Sequence, residues 1–329
     1  MARGDARPVL SGDRFVVLGR AGMDFYADPP GARTETADRF VACLGGSAAN
    51  IAVALVRQGA RAELLTRVSD DAVGRFCLNR LDAHGVGRAH VRVAGGEART
   101  SLAVVESRLE DHQSVIYRNG AADFALTVQD VEAVAWAAHS ALVVTGTALA
   151  AEPSRGAAFR ALDLARAAGL ALVLDIDHRP YSWPSAEVAA RTCAEAAGMC
   201  DIVIGNEAEF AILAGDPARG AEAAGRLAAT TARIAVYKMG EKGAITFAEG
   251  RALRTGVYPA RPLKPTGAGD AFMGAFLAAL AAGRRLETAV LRGSAAAALV
   301  VGRVGCAPAM PEAGELDAFM AAQAAPPIA

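Results

Sequence analysis

The chain has 329 residues, of which 53% are hydrophobic, and 34 Lys and Arg against 35 Asp and Glu give a formal net charge of -1. This hydrophobic content is ample for a globular core, and the balanced charge lacks the basic excess that nucleic-acid binding usually needs. The five cysteines show no paired spacing typical of zinc ligands, so we expect reduced, mostly buried thiols. We therefore expect small molecules as partners and no nucleic acid.

Apolar segments also restrict where the protein can work. No apolar run reaches the length of a membrane span. The N-terminal segment "MARGDARPVLSGDRF" has arginines but no apolar stretch long enough for a signal peptide. These features predict a cytoplasmic protein that does not contact a membrane.

In chain order, six short runs rich in Val, Leu and Ile predict buried β-strands. They are FVVLG (15–19), AELLTRV (62–68), ALVVTG (141–146), LALVLDI (170–176), DIVIG (201–205) and RIAVYKMG (233–240). Ala-rich helical segments lie between them, such as residues 154–169 and residues 47–59, where Ser47 is a candidate N-cap. This alternation predicts an α/β fold in which a Rossmann-like, mainly parallel sheet carries helices on both faces.

Two segments depart from this alternation. Residues 24–43 and residues 99–118 read as extended or looped pieces with a period of two, and the second predicts a hairpin around "LEDH". We expect the two segments to form a small β lid over a site on the main sheet. The alternative is a pair of surface loops.

The stretch "PTGAGDAFMGAF" (residues 265–276) places an acid beside a glycine-lined helix start. Gly267, Ala268 and Gly269 leave backbone N–H groups unobstructed where the helix dipole favours an anion, so they predict a phosphate cradle. The charge of Asp270 opposes phosphate binding, which makes sense if Asp270 takes a proton from an attacking hydroxyl. The alternative is that Asp270 is an ordinary first-turn acid.

A second glycine cluster, "LGGSAANIAVALVRQG" (residues 44–59), has Gly45 and Gly46 ahead of a helix whose first turn carries Asn50. Small backbone and a neutral amide suit a polyol. Together the two stretches resemble the two signatures of the ribokinase/PfkB family of carbohydrate kinases, and the resemblance covers residues 13–320. It implies one ribokinase-like kinase domain that uses ATP and Mg²⁺.

The resemblance also implies roles for residues outside the glycine clusters. Asp24, read as the end of the first strand in "GRAGMD", would bind sugar hydroxyls; alone it would be an ordinary strand-end acid. "NEAE" is similar to the family's NxxE motif, so Asn206 would help to place the nucleotide phosphates and Glu209 the metal ion. On the residues alone, this is a helix N-terminus with favourable acids.

"KMGEKGA" (residues 238–244) is similar to the glycine turn at the family's nucleotide edge, which implies that Lys238, Gly240 and Gly243 approach the nucleotide. A simple hairpin turn is the alternative. Lys264 lies six residues before Asp270, where many relatives have an Asp that helps to bind a monovalent cation. We expect the lysine to supply a built-in positive charge there, and the alternative is a side chain that points to solvent.

The substrate has to be inferred from side chains. Arg118, on the expected lid hairpin, and Arg179, beyond a strand end, could clamp a substrate carboxylate. Solvent-exposed or ion-paired arginines are the alternative. The resemblance is strongest to family members that phosphorylate the 6-hydroxyl of 5-dehydro-2-deoxy-D-gluconate in myo-inositol catabolism, although Thr266 stands where an aromatic residue is expected. This implies a keto-deoxy sugar acid and ATP as the small-molecule partners.

Other interpretations stay open at this stage. The substrate could be 2-keto-3-deoxygluconate or a neutral sugar such as fructose, and the chain could be a non-catalytic sugar-binding regulator on the same fold. The intact Asp270 and its glycine cradle argue against the regulator. A homodimer could form through the lid.

Overall fold

A computed structural model describes residues 9–329. Residues 1–8, part of the N-terminal segment that is expected to lack a signal peptide, lie outside the described residues. The strands are β1 (Arg14–Leu18), β2 (Gly22–Asp28), β3 (Arg39–Gly45), β4 (Arg61–Ser69), β5 (Val91–Ala94), β6 (Ser101–Val105), β7 (Ser114–Tyr117), β8 (Ala141–Thr145), β9 (Ala171–Asp175), β10 (Ile202–Asn206), β11 (Ile234–Lys238), β12 (Ala244–Ala248) and β13 (Arg251–Thr255). The α-helices are α1 (Ser47–Arg57), α2 (Ala72–Ala83), α3 (Val128–Glu132), α4 (Ser154–Ala167), α5 (Ala186–Met199), α6 (Glu207–Ala214), α7 (Gly220–Thr230), α8 (Ala268–Ala281), α9 (Leu286–Val301) and α10 (Ala313–Ala322).

The main sheet has nine strands in the order β13-β12-β11-β10-β9-β8-β1-β4-β5. In this order, all neighbouring strands from β11 to β5 pair in parallel. Strands β12 and β13 pair antiparallel and form one edge of the sheet. All six predicted strands are present at its centre. Sequence patterns missed β5, β12 and β13, which are short strands towards the two edges and lack the continuous apolar runs of the central ones.

Alternate side chains of the central strands enter two different cores. Val17 packs into the core shared with α1, α8 and α9, whereas Val16 and Leu18 pack into the core shared with α4, α5 and α7. This alternation follows from the period of two in a strand and requires helices on both faces, as the sequence predicts.

Helix α1 begins at Ser47, but its N-cap is Gly46, so the expectation of Ser47 as the cap is wrong. Gly46 has a φ of 95°, and a Cβ there would lie 2.4 Å from the carbonyl oxygen of Arg20. Only glycine fits both the backbone conformation and the close approach.

The lid is a four-stranded sheet in the order β3-β2-β6-β7. The hairpin predicted around "LEDH" is present, because β6 and β7 pair antiparallel with Val105 opposite Ser114. One expectation is wrong: Asp24 lies in lid strand β2, whereas β1 already ends at Leu18. Residues 19–21 carry the chain from the main sheet into the lid, so "GRAGMD" (residues 19–24) comprises this connection and the start of β2.

Two expectations from composition can also be compared with the structure. In the described part of the chain, all five cysteines are free and buried, as predicted. Within residues 9–329, every helix is too short or too polar to cross a bilayer.

Candidate active site

A cavity of about 510 Å³ lies between the lid and the carboxyl ends of the parallel strands, which is where open α/β sheets collect ligands. Most of the predicted site residues line it: Asp24, Gly46, Asn50, Arg118, Arg179, Asn206, Glu209, Lys238, Gly267, Gly269 and Asp270. The sequence motifs at both glycine clusters and at "NEAE" therefore come together in space.

Five predicted residues do not line the cavity: Gly45, Gly240, Gly243, Lys264 and Ala268. Gly45 instead makes room for Asp24, because a Cβ there would lie 2.1 Å from the carboxyl group of Asp24. Gly240 and Gly243 lie in the β11–β12 hairpin turn, where Met239 donates its N–H to the carbonyl of Gly243 over 2.8 Å. The structure thus contains the hairpin that the sequence offered as the alternative.

Asp270 lies in the first turn of α8, and its Oδ2 accepts a hydrogen bond of 2.8 Å from Nδ2 of Asn50. Burial, reinforced by repulsion from Asp177, raises the pKa of Asp270 to about 6, although the Asn50 hydrogen bond and the charges of Lys238 and Arg179 oppose the shift. A carboxyl group with this pKa is mostly ionised at neutral pH and is well matched to accepting a proton.

The helix start beside Asp270 is open to an anion. Gly267, the N-cap of α8, has a φ of 88°, and a Cβ at Gly269 would lie 3.1 Å from Nζ of Lys238. The first N–H groups of a helix have no partners within it, and here an ammonium group lies close to them. Backbone donors and a lysine charge therefore converge where a phosphoryl group could bind.

Three carboxyl groups, those of Asp175, Asp177 and Glu209, crowd the same end of the sheet. Burial raises the pKa of Asp175, with Lys238 opposing and the other two acids adding to the shift. Burial likewise raises the pKa of Glu209, again opposed by Lys238 and reinforced by Asp177. This excess of acidic oxygens suits a divalent cation such as Mg²⁺, which prefers carboxylate ligands.

Glu209 is also held by a capping box. Its Oε2 accepts a hydrogen bond of 2.7 Å from the N–H of Asn206, and Oδ1 of Asn206 accepts one of 3.0 Å from the N–H of Glu209. The interpretation of "NEAE" as a helix N-terminus is therefore confirmed. The other carboxylate oxygen of Glu209, Oε1, lies 3.8 Å from Nη1 of Arg179.

Asp177 was missed by sequence reasoning. Its φ is 33°, an uncommon conformation that Asp tolerates better than most residues, and it is buried. Its carboxylate accepts a hydrogen bond of 3.1 Å from Oγ1 of Thr147 and pairs with Nη2 of Arg179 at 2.9 Å. The available signal was the "DID" spacing, which places Asp175 at the end of β9 and Asp177 two residues beyond it.

The two predicted arginines have different surroundings. Arg118 is buried, pairs with Asp123, donates to the carbonyl of Thr147 over 3.1 Å and lies 3.9 Å from the ring centroid of Phe124. Only its Nε lacks a partner among the described residues. The ion-paired alternative therefore describes Arg118. Arg179 has a side chain that is 42% exposed, so its guanidinium remains accessible from the cavity.

Arg20 is a further arginine on the cavity wall and was not predicted. Its Nη1 donates to Oγ of Ser101 over 3.0 Å. No local pattern singles it out, because it follows β1 and meets Ser101 only through the lid.

Oδ1 of Asp24 and Oδ1 of Asn50 are buried acceptors that lack a partner among the described residues. Both residues line the cavity. An unpaired buried acceptor costs free energy, so these atoms suit ligand hydroxyl donors.

Lys264 is fully buried, and its ammonium donates to the carbonyl of Thr266. Burial lowers its pKa, while Cys306 and the carboxylates of Asp270 and Asp24 oppose the shift. The alternative of a solvent-facing lysine is therefore wrong. The side chain lies directly behind the loop that leads into the glycine cradle.

Residues 13–313 match the model of the pfkB family of carbohydrate kinases. The chain belongs to this family. A 5-dehydro-2-deoxygluconokinase from Photobacterium profundum is 38% identical over 90% of this chain and 91% of its own length. A 5-dehydro-2-deoxygluconokinase from Geobacillus kaustophilus is 33% identical over 93% of each chain.

Among solved structures, a fructokinase double mutant from Vibrio cholerae O395, bound to fructose, ADP and potassium ion, is 26% identical with a TM-score of 0.82. The alignment covers 94% of this chain and 99% of the fructokinase. The predicted ribokinase-like fold is thus confirmed, and the chain is an ATP-dependent PfkB-family sugar kinase. These relatives do not favour the alternative of a non-catalytic regulator.

Proposed function

We propose that this kinase transfers the γ-phosphoryl group of ATP to the 6-hydroxyl of 5-dehydro-2-deoxy-D-gluconate, a step of myo-inositol catabolism. The observation that carries the chemistry is the position of Asp270, which reaches the cavity beside Asn50 and the glycine start of α8. The substrate assignment is supported by the names of relatives that are 33% and 38% identical to this chain over at least 90% of its length.

In this proposal the substrate lies between the lid and α8. Asp24 and Asn50 accept hydrogen bonds from its hydroxyl groups through oxygens that have no protein partner. Arg179 and the free Nε of Arg118 face its carboxylate, with Arg20 nearby on the cavity wall. Gly45 and Gly46 give the space that lets Asp24 and the start of α1 approach the sugar.

Asp270 then accepts the proton of the attacking hydroxyl. Asn50 orients its carboxylate through the hydrogen bond of 2.8 Å. The amides of Gly267, Ala268 and Gly269 stabilise charge on the transferring phosphoryl group, and Lys238 adds a positive charge at the same place. Transfer is direct and in line, so no phosphoenzyme forms.

Glu209, with Asp175 and Asp177, would hold Mg²⁺, which neutralises phosphate charge when bound. Asn206 supports the metal and phosphates through its capping box with Glu209. We assign the hairpin turn of Gly240 and Gly243 to the edge of the nucleotide site. Lys264 acts from behind the cradle, where its ammonium holds the carbonyl of Thr266.

We also propose a cytoplasmic kinase with one domain over residues 13–320 and a homodimer formed through the lid. Lid strands β3 and β7 expose large apolar side chains, including Phe40, Val41 and Tyr117, which a second lid could cover. Light scattering after size exclusion measures the mass directly, and a monomer at micromolar concentration would contradict the dimer.

The substrate is tested by measuring ADP release with a panel of sugars. We expect the highest kcat/KM with 5-dehydro-2-deoxy-D-gluconate, lower values with 2-keto-3-deoxygluconate, and the lowest with fructose. Preference for either alternative sugar would overturn the substrate but keep the kinase. Binding without ADP release from any sugar would overturn the activity.

A further inference from the structure

A second cluster of polar side chains lies at the amino end of the main sheet, opposite the cavity. Glu63 is the third residue of strand β4, His90 immediately precedes β5, and His139 lies in the segment that leads into β8. Their nearest ligand atoms all lie within 4.8 Å of one another, and the three residues are partly buried. None of them lines the catalytic cavity.

The two histidines converge on one carboxylate oxygen. Nε2 of His90 lies 3.0 Å from Oε2 of Glu63, and Nε2 of His139 lies 3.6 Å from the same oxygen. In a tetrahedral zinc site with bonds of roughly 2.0–2.2 Å, neighbouring ligand atoms are about 3.4 Å apart. The two observed separations bracket that value.

When His139 is neutral, its hydrogen bonding leaves the other ring nitrogen without a suitable partner. Nδ1 of His139 lies 3.1 Å from the carbonyl oxygen of Ala135, which can only accept a hydrogen bond, so Nδ1 carries the proton. In the neutral ring, Nε2 then presents a lone pair to the carboxylate of Glu63. Two acceptors that face each other repel unless a cation lies between them.

This orientation is also typical of metal sites, where a ligating histidine donates its second ring N–H to a carbonyl or carboxylate. Gly87 contributes space, because a Cβ there would lie 2.7 Å from Cγ of Glu63. The side chain of Glu63 is 37% exposed, so a metal ion can reach the cluster from solvent.

We propose that Glu63, His90 and His139 bind a Zn²⁺ ion, with solvent completing its coordination. Two imidazoles and one carboxylate favour a borderline metal over Mg²⁺, which prefers oxygen ligands alone. Because the ligands come from β4 and from the segments entering β5 and β8, the ion joins separate parts of the chain. The site is structural and does not take part in phosphoryl transfer.

The first test measures Zn²⁺ binding to the full-length chain, treated with a chelator and kept free of nucleotide and Mg²⁺. We expect one tightly bound equivalent by titration calorimetry and a rise in melting temperature, because a ligand that binds the folded state stabilises it. His90→Gln, His139→Gln and Glu63→Gln should each weaken Zn²⁺ binding at least about 100-fold. Losing a residue that only supports a metal ligand weakens binding by up to about 100-fold, so losing a ligand itself should cost at least as much.

His84→Gln is the matched control, because His84 is also partly buried but contacts Arg57 instead of the cluster. It should bind Zn²⁺ as the unaltered chain does. The proposal would be overturned if Zn²⁺ binding survived the three cluster substitutions. It would also be overturned if the unaltered chain bound Zn²⁺ with only a millimolar or weaker Kd.

A second measurement covers the case in which a variant fails to fold. Anomalous diffraction at the zinc edge, from crystals of the unaltered chain grown with Zn²⁺, should show a peak within about 2.0–2.2 Å of one atom from each of the three side chains. A peak elsewhere, or none, would overturn the proposal. The ADP-release rate of the folded variants should match that of the unaltered kinase.

Discussion

The two walls of the cavity differ in how many of their charged groups have partners within the protein. The sheet wall comprises Asp175, Asp177, Glu209, Lys238 and Asp270, and the lid wall comprises Arg20, Asp24, Ile116 and Arg118. On the sheet wall, burial raises the pKa of Asp175, Glu209 and Asp270, and repulsion between neighbouring acids adds to each shift, so bound cations would stabilise their ionised forms. On the lid wall, both arginines already have protein partners.

This difference separates two tasks. Without ligands, the buried carboxyl groups of the sheet wall repel one another. Groups with pKa values shifted in this way suit proton and phosphoryl transfer. The lid wall is held in place by its own contacts and offers only single unpaired atoms, such as Oδ1 of Asp24 and Nε of Arg118, which suits selection of a substrate. Substitutions on the two walls should therefore have different consequences.

The largest effect on turnover should come from the sheet wall. Asp270→Asn keeps the shape of the side chain but removes its ability to accept a proton, so kcat should fall by roughly 10²–10⁴-fold. ATP binding, measured by thermal shift, should survive. Unchanged turnover would show that Asp270 is only a first-turn acid of α8.

On the lid wall, Arg118→Met should primarily destabilise the fold. It leaves the buried carboxylate of Asp123 without its partner, which costs about 3–5 kcal/mol in the free energy of unfolding. Urea denaturation measures the loss. Combining Arg118→Met with Asp123→Leu should recover part of it, because no unpaired charge then remains. A stable single variant that only loses affinity for the sugar acid would show that Arg118 serves the substrate without stabilising the fold.

Lys264 lies behind the sheet wall, and Lys264→Ala should reduce turnover by about 10-fold or more, since a hydrogen bond from a charged donor contributes about 1.5–3 kcal/mol. The exposed Lys242 supplies the control, Lys242→Ala, which should be fully active.

The same lysine predicts a weak response to monovalent cations. At matched ionic strength, turnover in potassium should be close to turnover in tetramethylammonium, because the ammonium of Lys264 would repel an added cation. Strong activation by potassium would show that a cation site persists. The solved fructokinase with a bound potassium ion offers a comparison enzyme for this assay.

Arg179 connects the two walls, because it pairs with Asp177 yet stays accessible. Arg179→Met should weaken binding of the sugar acid by roughly 1.5–3 kcal/mol and affect fructose far less. The KM values for both sugars and for ATP separate the possibilities. Equal losses for the two sugars would assign Arg179 to the phosphates or to the structure.

Sequence patterns predicted the cradle and Asp270 better than the lid wall, although they missed Asp175 and Asp177 of the sheet wall. The cradle and Asp270 lie within one contiguous stretch, and the central strands are apolar runs that can be recognised without knowing their neighbours. Asp24 was placed in the wrong strand because residues 19–21 change sheets without a local signal. The partner of Arg118 and the position of Arg20 depend on long-range packing that one segment cannot reveal.

The pH dependence of kcat/KM tests most directly the claim that Asp270 is the base. Its pKa is raised to about 6, and only the ionised carboxylate accepts a proton, so activity is present above this pH and is lost as the pH falls through it. With ADP quantified by chromatography, kcat/KM should level off above neutral pH and fall about tenfold per unit well below pH 6. A profile that stays flat down to pH 5, or the same fall in Asp270→Asn, would contradict the account.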